Sequence, residues 1–90
     1  MISVSKLSGD NYEISVSSGT TTTHQIKVEP AIVENLTSGN ADAEALLKKS
    51  FEFLLEREPN TSILRSFDLP IIGSYFPEYE AAMRKHFAGS

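Results

Sequence analysis

Asn11-Tyr12-Glu13-Ile14-Ser15-Val16-Ser17-Ser18-Gly19-Thr20-Thr21-Thr22-Thr23-His24-Gln25-Ile26-Lys27-Val28 is the stretch that decides the fold. Its large apolar side chains, Tyr12, Ile14, Val16, Ile26 and Val28, all fall at even positions, with mostly Ser, Thr, Glu, Gln and Lys between them. A period of two puts such residues on one face of a strand. Ser18-Gly19-Thr20 interrupts the pattern with a glycine beside small polar residues, the composition of a tight turn. Ser8-Gly9-Asp10-Asn11 does the same upstream, where Ile2 and Val4 continue the even parity. The spacing predicts a three-stranded antiparallel meander over about residues 2–29. Because a slip of one residue would turn each apolar set to water, facing residues must share parity. The predicted register pairs Val4 with Ile14 and Ile2 with Val16, then Val16 with His24, Ile14 with Ile26 and Tyr12 with Val28.

Pro30 ends the third strand, since proline cannot donate to a ladder, and it can open a short helical turn through Ala31 to Leu36. Thr37-Ser38-Gly39-Asn40 then forms a loop, with Asn40 as the candidate cap of a long helix over about 41–58. The apolar stripe of that helix is Ala43, Leu47, Phe51, Leu54 and Leu55, widened by Leu46 and Phe53, which fits a period of 3.6. Pro59 stops it. Short helices are predicted at about 62–67, carrying Ile63, Leu64 and Phe67, at about 69–75, and at about 77–87 behind Pro77. Whether the chain breaks or merely kinks at Pro59, Gly73 and Pro77 is open at this level. The expected architecture is one α+β domain over 1–90, a meander whose even face is covered by helices.

The chain carries eight Lys and Arg against twelve Asp and Glu, a net charge of −4, and no cysteine. Leu, Ile, Val and Phe together make up 24 of the 90 residues, above the roughly 20% typical of disordered chains. Without cysteine there is no disulfide, no thiolate nucleophile and no thiolate zinc site. Both parts of the chain, divided at Asn40, are net acidic, which disfavours nucleic acid and anionic membranes as partners. Contact with nucleic acid through Lys27, Arg84 and Lys85 is the weak exception, because Arg84-Lys85-His86 better suits the negative end of a helix. No apolar run approaches the ~18 residues that span a bilayer, and no secretion signal opens the sequence, so a soluble cytoplasmic protein is expected.

No catalytic motif stands out, and the expectation is a protein that is not an enzyme and binds no cofactor or metal. Ser74 lacks the glycines on both sides and the preceding strand of a nucleophile elbow, and Gly9, Gly19 and Gly39 have no phosphate-binding spacing. His24 shares the parity of the core face, and His86 shares the apolar stripe of the last helix. The two could meet in a pocket between sheet and helices, as part of a small-molecule site. The simpler reading leaves His24 at the sheet margin and His86 at a helix end, because a catalytic zinc site needs about three protein ligands. The most distinctive stretch is Tyr75-Phe76-Pro77-Glu78-Tyr79-Glu80. Tyr75, Phe76 and Tyr79 are either interface anchors or a staple that locks the last helix to the core.

Ser62-Ile63-Leu64-Arg65-Ser66-Phe67-Asp68-Leu69 and Tyr75 to Glu80, behind a helix ending in Phe51-Glu52-Phe53-Leu54-Leu55-Glu56-Arg57-Glu58-Pro59, resemble the tail of a family of small uncharacterised bacterial proteins. The resemblance covers about the last half of the chain. It implies a bacterial cytoplasmic origin and a self-contained unit, and transfers no activity, cofactor or site residue. The order of three strands followed by helices also resembles the sheet-plus-helix module of HicB-type antitoxins, which bind a toxin protein; folds do not fix function. The function expected from sequence is a noncatalytic protein-interaction or regulatory module. Its partner would be another protein or, because a three-stranded sheet has two unprotected edges, a second copy of itself.

Overall fold

The structure, a computed structural model, describes residues 1–88. Its elements are β1 (Ile2–Ser8), β2 (Asn11–Ser18), β3 (Thr20–Lys27), α1 (Pro30–Thr37), α2 (Ala43–Leu55), a single 3-10 turn (Asn60–Ser62), β4 (Ser66–Asp68), α3 (Ile71–Tyr75) and α4 (Tyr79–His86). The fold is α+β, as the alternation and the helical stripes require. The sheet order is β1-β2-β3-β4, with β1, β2 and β3 antiparallel and β4 added parallel to β3. Ile14, Val16 and Ile26 are fully buried on the even face, against Leu46, Leu47 and Phe51 of α2. The odd face is left to water, which Ser, Thr, Glu, Gln and Lys tolerate.

The first hairpin has the predicted register, Ile2 opposite Val16 and Val4 opposite Ile14. The second is displaced by two residues from the prediction: Ile14 faces His24, Tyr12 faces Ile26 and Val16 faces Thr22. Parity, and with it the buried face, is unchanged. The reason lies in the turn. Gly19 has φ +80, a conformation that costs other residues about 1–2 kcal/mol, so the chain reverses about Gly19 itself instead of one residue later.

The segment predicted as a helix over 62–67 is instead the 3-10 turn followed by β4. Ile63, Leu64 and Phe67 fit a helical spacing, yet from Ser66 onward burial alternates: Ser66 and Asp68 are exposed, Phe67 is half-buried and Leu69 is buried. Pro70 disfavours a helical Leu69, and the free edge of β3 offers ladder bonds that a helix would forgo. Gln25 N donates to Arg65 O at 2.7 Å and Leu69 N donates to Lys27 O at 2.9 Å. The predicted meander is therefore a four-stranded mixed sheet.

Pro30 opens α1 as expected. The cap of α2 is Asp42, whose Oδ1 accepts from Ala45 N at 2.9 Å, in place of the predicted Asn40. Asn40 instead donates its side-chain amide to Phe87 O, tying the α1–α2 loop to the end of α4. The long helix is shorter than expected at both ends. α4 starts at Tyr79 instead of Pro77, which lies in the approach to the helix.

Asp42→Ala should lower stability by about 1 kcal/mol, whereas Asn40→Ala, which removes an exposed bond outside the helix, should cost less than half as much. Urea unfolding of the two variants measures both, and an equal or reversed order would contradict the placement of the cap.

Candidate functional site

Two buried polar arrangements set the geometry of the helical half. The first joins β3 to the 3-10 turn and β4. His24 is fully buried, with its ring 5.3 Å from that of Phe51, instead of lying at the sheet margin as expected. Its Nδ1 is 2.8 Å from Leu64 O and its Nε2 is 2.9 Å from Thr22 Oγ1. A carbonyl can only accept, so Nδ1 carries the proton and Nε2 accepts from the Thr22 hydroxyl. Thr22 Oγ1 in turn accepts from Asn60 Nδ2 at 3.0 Å, and the same amide donates to Thr20 O at 2.7 Å. The imidazole thus has a partner at each ring nitrogen, and the chain through Asn60 and Leu64 is fixed to the sheet.

The second arrangement seats the aromatic stretch. Tyr79 is fully buried and donates its hydroxyl to Ser50 Oγ at 2.6 Å, while Ser50 donates to Leu46 O at 2.7 Å. Phe53 meets Tyr79 and Phe76 edge-on, with centroids 5.4 and 6.0 Å away. The Arg57 guanidinium lies 3.6 Å over the Phe53 ring and pairs with Glu56 and Glu78, each at 3.2 Å. A hydrogen bond from its own backbone N–H, and then Arg57, hold the Glu78 carboxyl below the usual carboxylate range. Burial raises the Tyr79 hydroxyl well above the ordinary tyrosine range, against the smaller opposing effect of the Ser50 bond.

Between these two anchored segments lies a groove of about 350 Å³. Leu54 and Glu58 form one wall, Ile63 and Leu64 the approach to β4, and Phe67, Ile71, Tyr75 and Phe76 much of the rest. Five large apolar residues of the described chain are substantially exposed, and three of them line this groove: Leu64 at 49%, Ile71 at 39% and Tyr75 at 65%. Glu58 is its charged lining residue.

The three aromatics singled out in the sequence therefore separate. Tyr75 is exposed in the groove, Phe76 is half-buried between groove and core, and Tyr79 is core. Phe76 and Tyr79 pack on Phe53 as the staple reading expects, while Tyr75 stays at the surface. Leu64 and Ile71 are the surface residues that no motif marks; their signal is the adjacent pairs Ile63-Leu64 and Ile71-Ile72, which a short element with one inward face cannot bury together.

His24 and His86 are not brought together. His86 is exposed in the last turn of α4, edge-on to Phe87 at 4.7 Å, and lines a shallow groove with Lys49, Arg57 and Lys85 that does not include His24. Among the described residues no three His, Asp or Glu side chains gather as a metal site, and no helix is long and apolar enough to cross a membrane. Compared with protein-family models, with curated proteins and with solved structures, the chain matches none.

The raised Tyr79 hydroxyl links stability to alkaline pH. The unfolded chain releases this proton near pH 10, about the ordinary tyrosine value, while the folded chain retains it, so its contribution is whole below that pH and falls as pH rises further. Denaturant unfolding between neutral and strongly alkaline pH should show stability declining above about pH 10, with a shallower decline in Tyr79→Phe. Equal slopes would contradict the buried, protonated phenol.

Proposed function

We propose that the chain is a protein-interaction module that receives an apolar segment of another protein in the groove between α2, β4 and α3. The observation that supports this reading is the gathering of Leu64, Ile71 and Tyr75, three well-exposed apolar side chains, around a single concavity. Scattered apolar residues on a surface need no explanation, but a contiguous patch lining a groove is the usual form of a docking site. Burying a large aliphatic or aromatic side chain is worth about 1.5–3 kcal/mol, so two or three anchors suffice for a regulated, reversible contact.

The partner segment would carry large apolar side chains and a Lys or Arg placed against Glu58, since the groove has an acidic lining residue and the whole chain is net acidic. Tyr75 supplies a rigid ring of the kind enriched at such sites.

Selection of a random displayed-peptide library on the folded protein tests this. Enriched peptides should combine large apolar residues with a Lys or Arg. Ile71→Asp should weaken their binding at least about tenfold, or 1.4 kcal/mol, while the melting temperature stays within a few degrees of the parent. Failure to enrich any peptide, or peptides that bind the variant as tightly as the parent, would overturn the reading.

A further inference from the structure

The other two exposed large apolar residues, Met1 at 89% and Leu7 at 47%, flank the regular part of β1 at the opposite edge of the sheet. There Ser17 N donates to Met1 O at 2.9 Å, and Met1 N donates to Ser17 O at 2.8 Å. In an antiparallel ladder this fixes the direction of every later group: the odd residues of β1 bond to β2, and the backbone N–H and C=O of Ile2, Val4 and Lys6 point away from the sheet. No hydrogen bond among the described residues reaches those groups. The edge is regular from Ile2 to Lys6, where an irregularity ends it, and it carries no proline. Lys6 and that irregularity are its devices against edge-to-edge pairing, and both lie at one end of the strand, leaving Ile2 to Ser5 open.

The sequence of this edge is complementary to itself. Pairing two regular Ile2–Lys6 segments antiparallel along their full length places Val4 on the two-fold axis. Val4 then faces Val4, Ile2 faces Lys6, and Ser3 faces Ser5. The same register directs Met1 of one copy toward Leu7 of the other. The two Lys6 side chains lie four residues apart along the strands, about 13 Å, beyond the Debye length of about 8 Å at physiological salt; the like charges brought near each other are the Met1 ammonium, which is held on Ser17 O, and Lys6 of the other copy. The remaining exposed parts of Ile2 and Val4, both half-buried, are covered on the inner face.

We propose that the free edge of β1 is a homodimer interface, in which a second copy of this chain pairs through Ile2–Lys6 about an axis at Val4 to form one continuous eight-stranded sheet. β4 and its groove lie at the outer ends of that sheet, so the dimer presents two grooves facing away from the axis. The inference does not depend on what those grooves bind.

The absence of cysteine makes a register-specific test available. In the proposed pairing Ser3 and Ser5 of opposite copies form a non-hydrogen-bonded pair with Cα atoms about 4.5 Å apart, within disulfide reach. An equimolar mixture of full-length Ser3→Cys and Ser5→Cys proteins, oxidised and resolved by mass spectrometry, should yield mainly the mixed disulfide, with few Ser3→Cys or Ser5→Cys homodimers. Sedimentation equilibrium of the parent should show a concentration-dependent dimer. Ser3→Lys/Ser5→Lys, which sets like charges opposite each other on an exposed face, should weaken it at least about tenfold with an unchanged circular dichroism spectrum. A monomer up to millimolar concentration would overturn the proposal. So would a dimer whose cross-links are homotypic or absent, since it would be built elsewhere or in another register.

Discussion

The structure depends on the hydrogen-bonded row that runs from Asn60 through Thr22 to His24 and on to Leu64 O. Thr22 and His24 occupy inward positions of β3, where an unpaired polar group would cost about 1–3 kcal/mol or more. Each is paired, and one arrangement of protons satisfies all of them: amide to hydroxyl, hydroxyl to Nε2, Nδ1 to carbonyl. Among the described residues no buried side-chain nitrogen or oxygen lacks a partner. The row therefore costs little in the folded state and makes any other course of the chain after Pro59 costly. Holding Asn60 and Leu64 against β3 aims the following residues along its edge, which is why a parallel fourth strand forms where helical spacing suggested a helix.

From that placement the groove follows. β4 delivers Leu69 to the core and starts α3 at Ile71, a helix too short to bury both of its isoleucines: Ile72 goes inward and Ile71 stays at the surface. Tyr75 remains exposed because the two rings after it are claimed by other contacts, Phe76 by Phe53 and Tyr79 by Phe53 and Ser50. Arg57 bridges the end of α2 to Glu78 and covers Phe53, so the wall behind Phe76 is fixed. The concavity is thus the space between two rigid anchorages, one polar under β3 and one aromatic under α4. The sheet separates this surface from the free β1 edge, so groove and edge can be occupied at once.

Much of this was legible in the sequence, for physical reasons that differ by element. The even positions from Ile2 to Val28 gave the strands and their buried face, since parity survives any error in the turn; the register of the second hairpin did not follow, because Gly19 alone decides where the chain reverses. The stripe through Leu47, Phe51 and Leu54 placed α2. Its cap was misplaced because Asn40 and Asp42 are both competent and the choice rests on the loop before them. β4 was hidden: Ile63, Leu64 and Phe67 satisfy a helical and an extended pattern equally, and the deciding partner, His24, is forty residues away in sequence. For the same reason the groove was only partly visible. Tyr75 and Phe76 stood out by composition, but Leu64 and Ile71 became surface residues only through the strand and short helix that carry them.

Amide hydrogen exchange in Thr22→Val tests the role of the buried row most directly. Valine keeps the shape and strand preference of threonine but removes the hydroxyl that joins Asn60 to His24. Two of the amides that join β3 to the β4 segment, Gln25 N–H and Leu69 N–H, should then lose protection, while Ser17 N–H at the far edge of the sheet stays as it is in the parent. If Gln25 and Leu69 remain as protected as before, the row does not hold the fourth strand, and the origin of the groove must lie elsewhere.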